Sequence, residues 1–152
     1  IAVMVQCSGS RSEMEDARTT ARFRLLFVED DTVVCQAIGQ MLAMEFPAAK
    51  IYTAENGQQG LDLFREYRPQ IVITDINMPL MSGIEMAEQI KAVQPDTSFI
   101  VLTGYSEKSY LKSFSAIGFY AYIIKPVDLD RLFEVVERYH ADRGHAPEEN
   151  LS

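Results

Sequence analysis

The stretch Ile71-Val72-Ile73-Thr74-Asp75-Ile76-Asn77-Met78-Pro79 decides the fold, because an apolar run of strand length stops on a lone carboxylate and breaks into a Pro-containing loop that reaches Gly83. Two other apolar runs stop in the same abrupt way. Leu25-Leu26-Phe27-Val28 is followed by Glu29-Asp30-Asp31, and Tyr122-Ile123-Ile124 by Lys125-Pro126. Between them, short apolar runs alternate with amphipathic segments, the pattern of a parallel sheet covered by helices on both faces. Strands are expected over Arg24 to Val28, Lys50 to Thr53, Ile71 to Thr74, Ser98 to Leu102 and Ala121 to Ile124. In an open sheet of this kind every strand points its C-terminal end into one crevice, so the acids at 29, 30 and 75 and the base at 125 converge there.

Helical spacing fills the gaps. Val34, Ile38, Met41 and Leu42 share one face of a first helix, Leu61, Phe64 and Tyr67 of a second, and Ile84, Ala87 and Ile90 of a third that starts near Ser82. A fourth covers Tyr110 to Ile117, and a fifth, capped by Asp128, turns Leu132, Val135, Val136 and Tyr139 to the core. Asp31 is expected to cap the first helix, where a carboxylate meets free N–H groups. The folded unit spans 22–140, and the polar segments 1–21 and 141–152 read as flexible tails. The fold class is α/β, a five-stranded parallel sheet, doubly wound as (βα)5 in three layers.

The chain's 152 residues leave room for one domain with a real core. A net charge of −8, acidic at both ends and in the middle, provides no basic stripe to neutralise phosphates, so direct nucleic-acid binding is not expected. No apolar stretch approaches the ~20 residues of a membrane-spanning helix. Cys7 and Cys35 form neither a metal pattern nor a disulfide framework, which suits a reducing cytoplasm. His140 and His145 have no evident partner and read as surface.

Taken together, Glu29-Asp30, Asp75 in Thr-Asp-Ile-Asn-Met-Pro, Thr103-Gly104 after a strand, and Tyr122 three residues before Lys125-Pro126 resemble the receiver domain of two-component response regulators, a chemotaxis-regulator-like phosphoacceptor domain with a flavodoxin-like sandwich. The resemblance covers most of the chain. It implies that Asp75 accepts a phosphoryl group from the phosphohistidine of a sensor histidine kinase or phosphotransfer protein, and that the first helix and the loop after Lys125 dock that donor.

Clustered carboxylates repel and raise one another's pKa unless a divalent ion sits among them. Mg2+ (or Mn2+) suits such a site, since it takes oxygen ligands and keeps waters for a substrate phosphate. By the resemblance, Asp30 is the direct ligand, Glu29 acts through water, Asp75 gives one oxygen, and Asn77 gives its backbone carbonyl. Lys125 pairs with Asp75 before transfer and with phosphate afterwards, aimed by a cis Pro126, and Thr103 hydrogen-bonds a phosphoryl oxygen. Asn77 and Tyr105 flank the site and tune access of water.

Tyr122 has two readings: a switch that swings inward as Thr103 moves, or an aromatic packed statically in a strand. The relay is expected to end on the fourth helix, fifth strand and fifth helix, where Tyr105, Tyr110, Phe114, Phe119, Tyr120 and Tyr122 crowd together. That face is a candidate for homodimer contact, and an output domain would lie outside this chain. Two rivals stand beside this reading. One is a receiver fold used only for docking or dimerisation without phosphate; the other is a phosphatase of the haloacid-dehalogenase type, which expects an acid two residues after the nucleophile where this chain has Asn77. On the leading reading the chain is no enzyme beyond its own phosphotransfer and dephosphorylation.

Overall fold

The computed structural model describes residues 3–5, 23–104 and 108–149. Five strands run parallel: β2 (Arg24–Val28), β3 (Lys50–Ala54), β4 (Ile71–Asp75), β5 (Ser98–Thr103) and β6 (Ala121–Ile124). Each agrees with the sequence expectation to within one residue, because strands covered on both faces leave continuous apolar runs. A short sixth strand, β1 (Val3–Val5), lies antiparallel on the outer edge of β3, so part of the segment expected as a tail joins the sheet. Cys7, Tyr105 and the rest of 1–21 lie outside the described residues.

The strand order is β1-β3-β2-β4-β5-β6. After β2 the chain first steps outward to β3 and then back across to β4, so the order reverses between β2 and β4. That reversal opens a crevice at the C-terminal ends of those two strands.

Five helices cover the sheet: α1 (Thr32–Glu45), α2 (Gly57–Tyr67), α3 (Gly83–Val93), α4 (Lys108–Ile117) and α5 (Leu129–Glu149). Side chains alternate between two cores as the pleat requires. Leu25 and Phe27 of β2 face the core under α1 and α5, with Leu132, Val135 and Val136, whereas Leu26 and Val28 face the core under α2, α3 and α4, with Phe64 and Ile90. Burying one such side chain is worth about 1.5–3 kcal/mol. Local signals set the helix starts. Asp31 accepts the Val34 N–H at 3.1 Å, Asn56 accepts that of Gln59 at 2.8 Å, and Ser82 and Glu85 form a reciprocal capping box. Asp128 accepts the N–H of Asp130 at 3.0 Å ahead of α5.

Several expectations are corrected. Met41 is 42% exposed, because the inward stripe of α1 is Cys35, Ile38, Gly39, Leu42 and Ala43, and Met41 is a turn-angle away from it. His140 is not a lone surface residue: its ring stacks on Phe23 with centroids 4.5 Å apart. α5 continues to Glu149, beyond the boundary expected near His140. Tyr67, by contrast, packs on the core beside Leu61 and Phe64 as its helical spacing suggested, half-buried and stacked on Tyr52 at 4.3 Å.

Candidate phosphoacceptor site

Asp75 is the last residue of β4, a strand with β2 on one side and β5 on the other. Position alone therefore buries it, to 1% exposure. Its backbone is pinned as well. The Thr74 hydroxyl donates to the Asp75 carbonyl at 2.8 Å, and the Gly83 N–H donates to the Ile76 carbonyl at 2.7 Å, folding the following loop back on the strand. A Cβ at Gly83 would overlap the Asp75 carbonyl oxygen, and one at Gly57 would overlap that of Met81, so glycine is what lets this loop close. At the loop's tip Leu80 takes φ +72°, with the Met81 N–H donating to the Pro79 carbonyl at 2.8 Å around it. That γ-turn is a strained conformation for leucine.

The crevice brings three acids and one base together. Ligand oxygens of Glu29, Asp30 and Asp75 lie within 4.8 Å of one another, and Lys125 Nζ stands 2.6 Å from Asp75 Oδ1. The Lys125–Pro126 peptide is cis, as the family resemblance implied. The three acids occupy different environments. Glu29 is buried, but its Oε2 accepts the Asp31 N–H at 3.1 Å. Asp30 is exposed. Asp75 pairs with Lys125 through Oδ1, and no amide or hydroxyl among the described residues donates to either of its carboxylate oxygens. Burial pushes its carboxyl up to about 8, against the hydrogen-bonding and charge of Lys125 and with the help of the Glu29 charge. A buried, unsatisfied carboxylate beside two more acids fits a hard, oxygen-seeking divalent cation.

The remaining expected residues are placed less directly. Thr103 ends β5, buried, with its hydroxyl donating to the Gly104 carbonyl at 3.3 Å. Asn77 is exposed in the loop after β4. Tyr122 is 44% exposed and meets Phe119 edge to face at 6.0 Å, so static core packing is not its role in this structure. Among the described residues β6 ends the sheet, and its side chains alternate: Ile123 is buried while Tyr122 and Ile124 share the more exposed face. Of the aromatic group around it, Phe114 is fully buried, Phe119 and Tyr120 are half-buried, and Tyr110 is exposed. Sequence reading did not anticipate the pinning roles of Thr74 and Gly57, although the Asp75-to-Gly83 spacing was a visible signal for the loop closure.

The profile of the response regulator receiver domain matches residues 25–137. The chain belongs to the response regulator receiver family. It is 30% identical over 134 residues to an uncharacterised response regulatory protein of Staphylococcus epidermidis, covering 86% of this chain and 53% of that protein. It is 34% identical over 128 residues to the cell cycle transcriptional regulator CtrA of Caulobacter vibrioides, covering 81% and 53% respectively. Among solved structures, the receiver domain protein of Clostridium thermocellum superposes with a TM-score of 0.73 at 26% identity, over 80% of this chain and 96% of that one. This receiver spans about half the length, or less, of the curated relatives it matches. Receiver domains are signalling domains that hold Mg2+ in an acidic pocket, and here the acidic cluster is Glu29, Asp30 and Asp75. No helix among the described residues is long and apolar enough to cross a membrane.

Proposed function

We propose that this receiver is a phosphorylation switch in which Asp75 takes a phosphoryl group from the phosphohistidine of a histidine kinase or phosphotransfer protein. The observation that carries this reading is the buried Asp75 carboxylate, unsatisfied except by Lys125 and set beside Glu29 and Asp30. An Asp75 oxygen attacks phosphorus, an acyl phosphate forms, and the P–N bond breaks with its electron pair left on the histidine nitrogen, which takes up a proton. Transfer of this kind has a loose transition state, so positioning and charge stabilisation supply most of the catalysis. Asp30, Glu29, Asp75 and the Asn77 carbonyl would hold Mg2+, which when bound offsets the negative charge of the phosphoryl oxygens. Lys125, half-exposed on a flexible stem, can follow charge from the carboxylate to the phosphoryl group. Hydrolysis of the acyl phosphate resets the site, and beyond this self-directed chemistry the chain acts as a switch and not as an enzyme.

The relay runs from Thr103, which leaves Gly104 to bond a phosphoryl oxygen, to Tyr122, which moves inward from its exposed position. Its readout is the α4-β6-α5 face. A groove of about 580 Å³ lies there, lined by Tyr122, Ile124, Arg131 and Arg138 among others. Homodimer contact or an output domain elsewhere in a longer cytoplasmic protein would use this face, and α1 with the loop after Lys125 would dock the kinase.

Intact-mass spectrometry after incubation with acetyl phosphate and Mg2+ tests the chemistry. A single phosphoryl adduct is expected, lost in Asp75→Asn and in EDTA. An adduct that survives Asp75→Asn would overturn the assignment, and a folded protein that binds Mg2+ without forming any adduct would favour a docking module.

A further inference from the structure

The outer edge of β3 has an unusual composition for a sheet edge. Its five residues, Lys-Ile-Tyr-Thr-Ala, include two β-branched side chains and an aromatic one, and its single charge stands at the first position. It has no proline, no bulge and no charge in its middle, the devices by which edge strands avoid pairing with other chains. What covers it is β1, in the register Val3↔Thr53, Met4↔Tyr52, Val5↔Ile51, the three positions that lack any protective residue. A three-residue strand is a weak cover, since short pairings with few cross-strand contacts are marginal in water. The other edge of β3 is held firmly: it pairs with β2, the Ala54 carbonyl accepts the Glu29 N–H at 3.0 Å, and the Thr53 side chain is what Gly39 of α1 packs against.

We propose that the outer edge of β3 is an interaction surface for a second copy of this chain, and that β1 is a displaceable cover that keeps it closed. With the cover displaced, the β3 edges of two copies pair antiparallel and extend one sheet through both. The partner is a second copy because the open edge is self-complementary: an antiparallel pairing about a two-fold axis sets Tyr52 against Tyr52 and Ile51 against Thr53, favourable cross-strand neighbours. It also holds the Lys50 charges at opposite ends of the ladder, away from each other.

The test replaces Val3 and Met4 together by proline in the full chain, which removes two backbone donors from β1 and leaves every residue of the acidic site unchanged. Amide hydrogen exchange over residues 50–54 and light scattering across a range of concentrations are the readouts. Acetyl phosphate labelling reports that the domain remains folded. The expected result is exchange at least about tenfold faster in the β3 amides of dilute protein, together with a concentration-dependent dimer in which those amides regain protection. Faster exchange with a monomer at every concentration would overturn the self-pairing, and unchanged exchange would overturn the cover.

Discussion

Replacing Asp75 by Asn is expected to stabilise the metal-free protein, and by more in alkaline than in acid solution. The carboxylate is buried in the central part of the sheet, has no amide or hydroxyl donor among the described residues, and is pushed by that burial from 3.8 to about 8 against the pull of Lys125. With a folded-state value above the unfolded one, the folded protein keeps a proton that the unfolded chain has already released. The group's contribution to stability is therefore fully present below the unfolded value and is lost as pH climbs through the folded one. Each tenfold bias between protonated and ionised forms is worth about 1.4 kcal/mol, so the interval from 3.8 to about 8 bounds the loss at about 6 kcal/mol. Water reaching the half-exposed Lys125 and local relaxation reduce this, giving an expected gain for Asp75→Asn of about 2 kcal/mol near about pH 8.5 and under about 1 kcal/mol near about pH 4.5. Lys125 is not stranded by the change, because its side chain is 39% exposed. Urea denaturation in EDTA, followed by circular dichroism at both pH values, measures the difference. A variant less stable than its parent at alkaline pH would show that attraction to Lys125 outweighs desolvation, and would refute the reasoning.

Other outcomes follow from single contacts. Lys125→Gln is expected to slow formation of the phosphoryl adduct by about tenfold or more while Mg2+ binding persists, read from a mass-spectrometric time course. Gly83→Ala places a Cβ against backbone that cannot yield and should cost about 3 kcal/mol or more, whereas at Gly60 the Cβ meets the flexible Met86 sulfur at 2.7 Å and should cost about 1 kcal/mol. Urea midpoints of the two variants decide whether that distinction holds. Burial, with the charges of Glu55 and Glu29, raises the Cys35 thiol to about 11, so at about pH 8 only about one molecule in a thousand carries the thiolate. Iodoacetamide followed by peptide mapping should find Cys35 unmodified in native protein and alkylated in urea.

Some of this structure could be read from the chain and some could not, for identifiable physical reasons. β2, β4 and β5 are covered on both faces, so each appears as an unbroken apolar run, and the polar residue that breaks the run marks the rim where the acids collect. The convergence of Glu29, Asp30, Asp75 and Lys125 follows from strand polarity alone, which is why the cluster could be anticipated. The inward face of α1 was harder: Met41 and Ala43 flank Leu42 on opposite sides, and the tilt of the helix, which no local pattern records, decides which of them is buried. β1 has three residues, too few to show a period. The stacking of His140 on Phe23 joins residues more than a hundred positions apart, and its geometry comes from how α5 lies across the sheet. For Tyr122 the chain left two readings, a switch or a packed strand aromatic, because local pattern does not record which face of the last strand is covered; Tyr122 stands on the more exposed one.

The three acids differ in a way that assigns them different work. Asp30 is open to water. Glu29 is buried, yet its longer arm reaches back to the Asp31 amide and satisfies one oxygen within its own turn. Asp75 can do neither. Strands on both sides and the loop closed at Gly83 fix its backbone, and its short side chain reaches no amide. Lys125 offsets part of its desolvation, and the remainder is relieved by something that arrives: a proton, a cation or an electrophile. A site in which the trapped acid is also the one facing Lys125 concentrates reactivity on one oxygen pair, and leaves the open acid at the rim where a hydrated ion would enter. Exchanging the environments of Asp30 and Asp75 would keep the same charges and lose that division, which is why the position of Asp75 at the end of the central strand, more than the number of acids nearby, makes it the nucleophile in the proposed reaction.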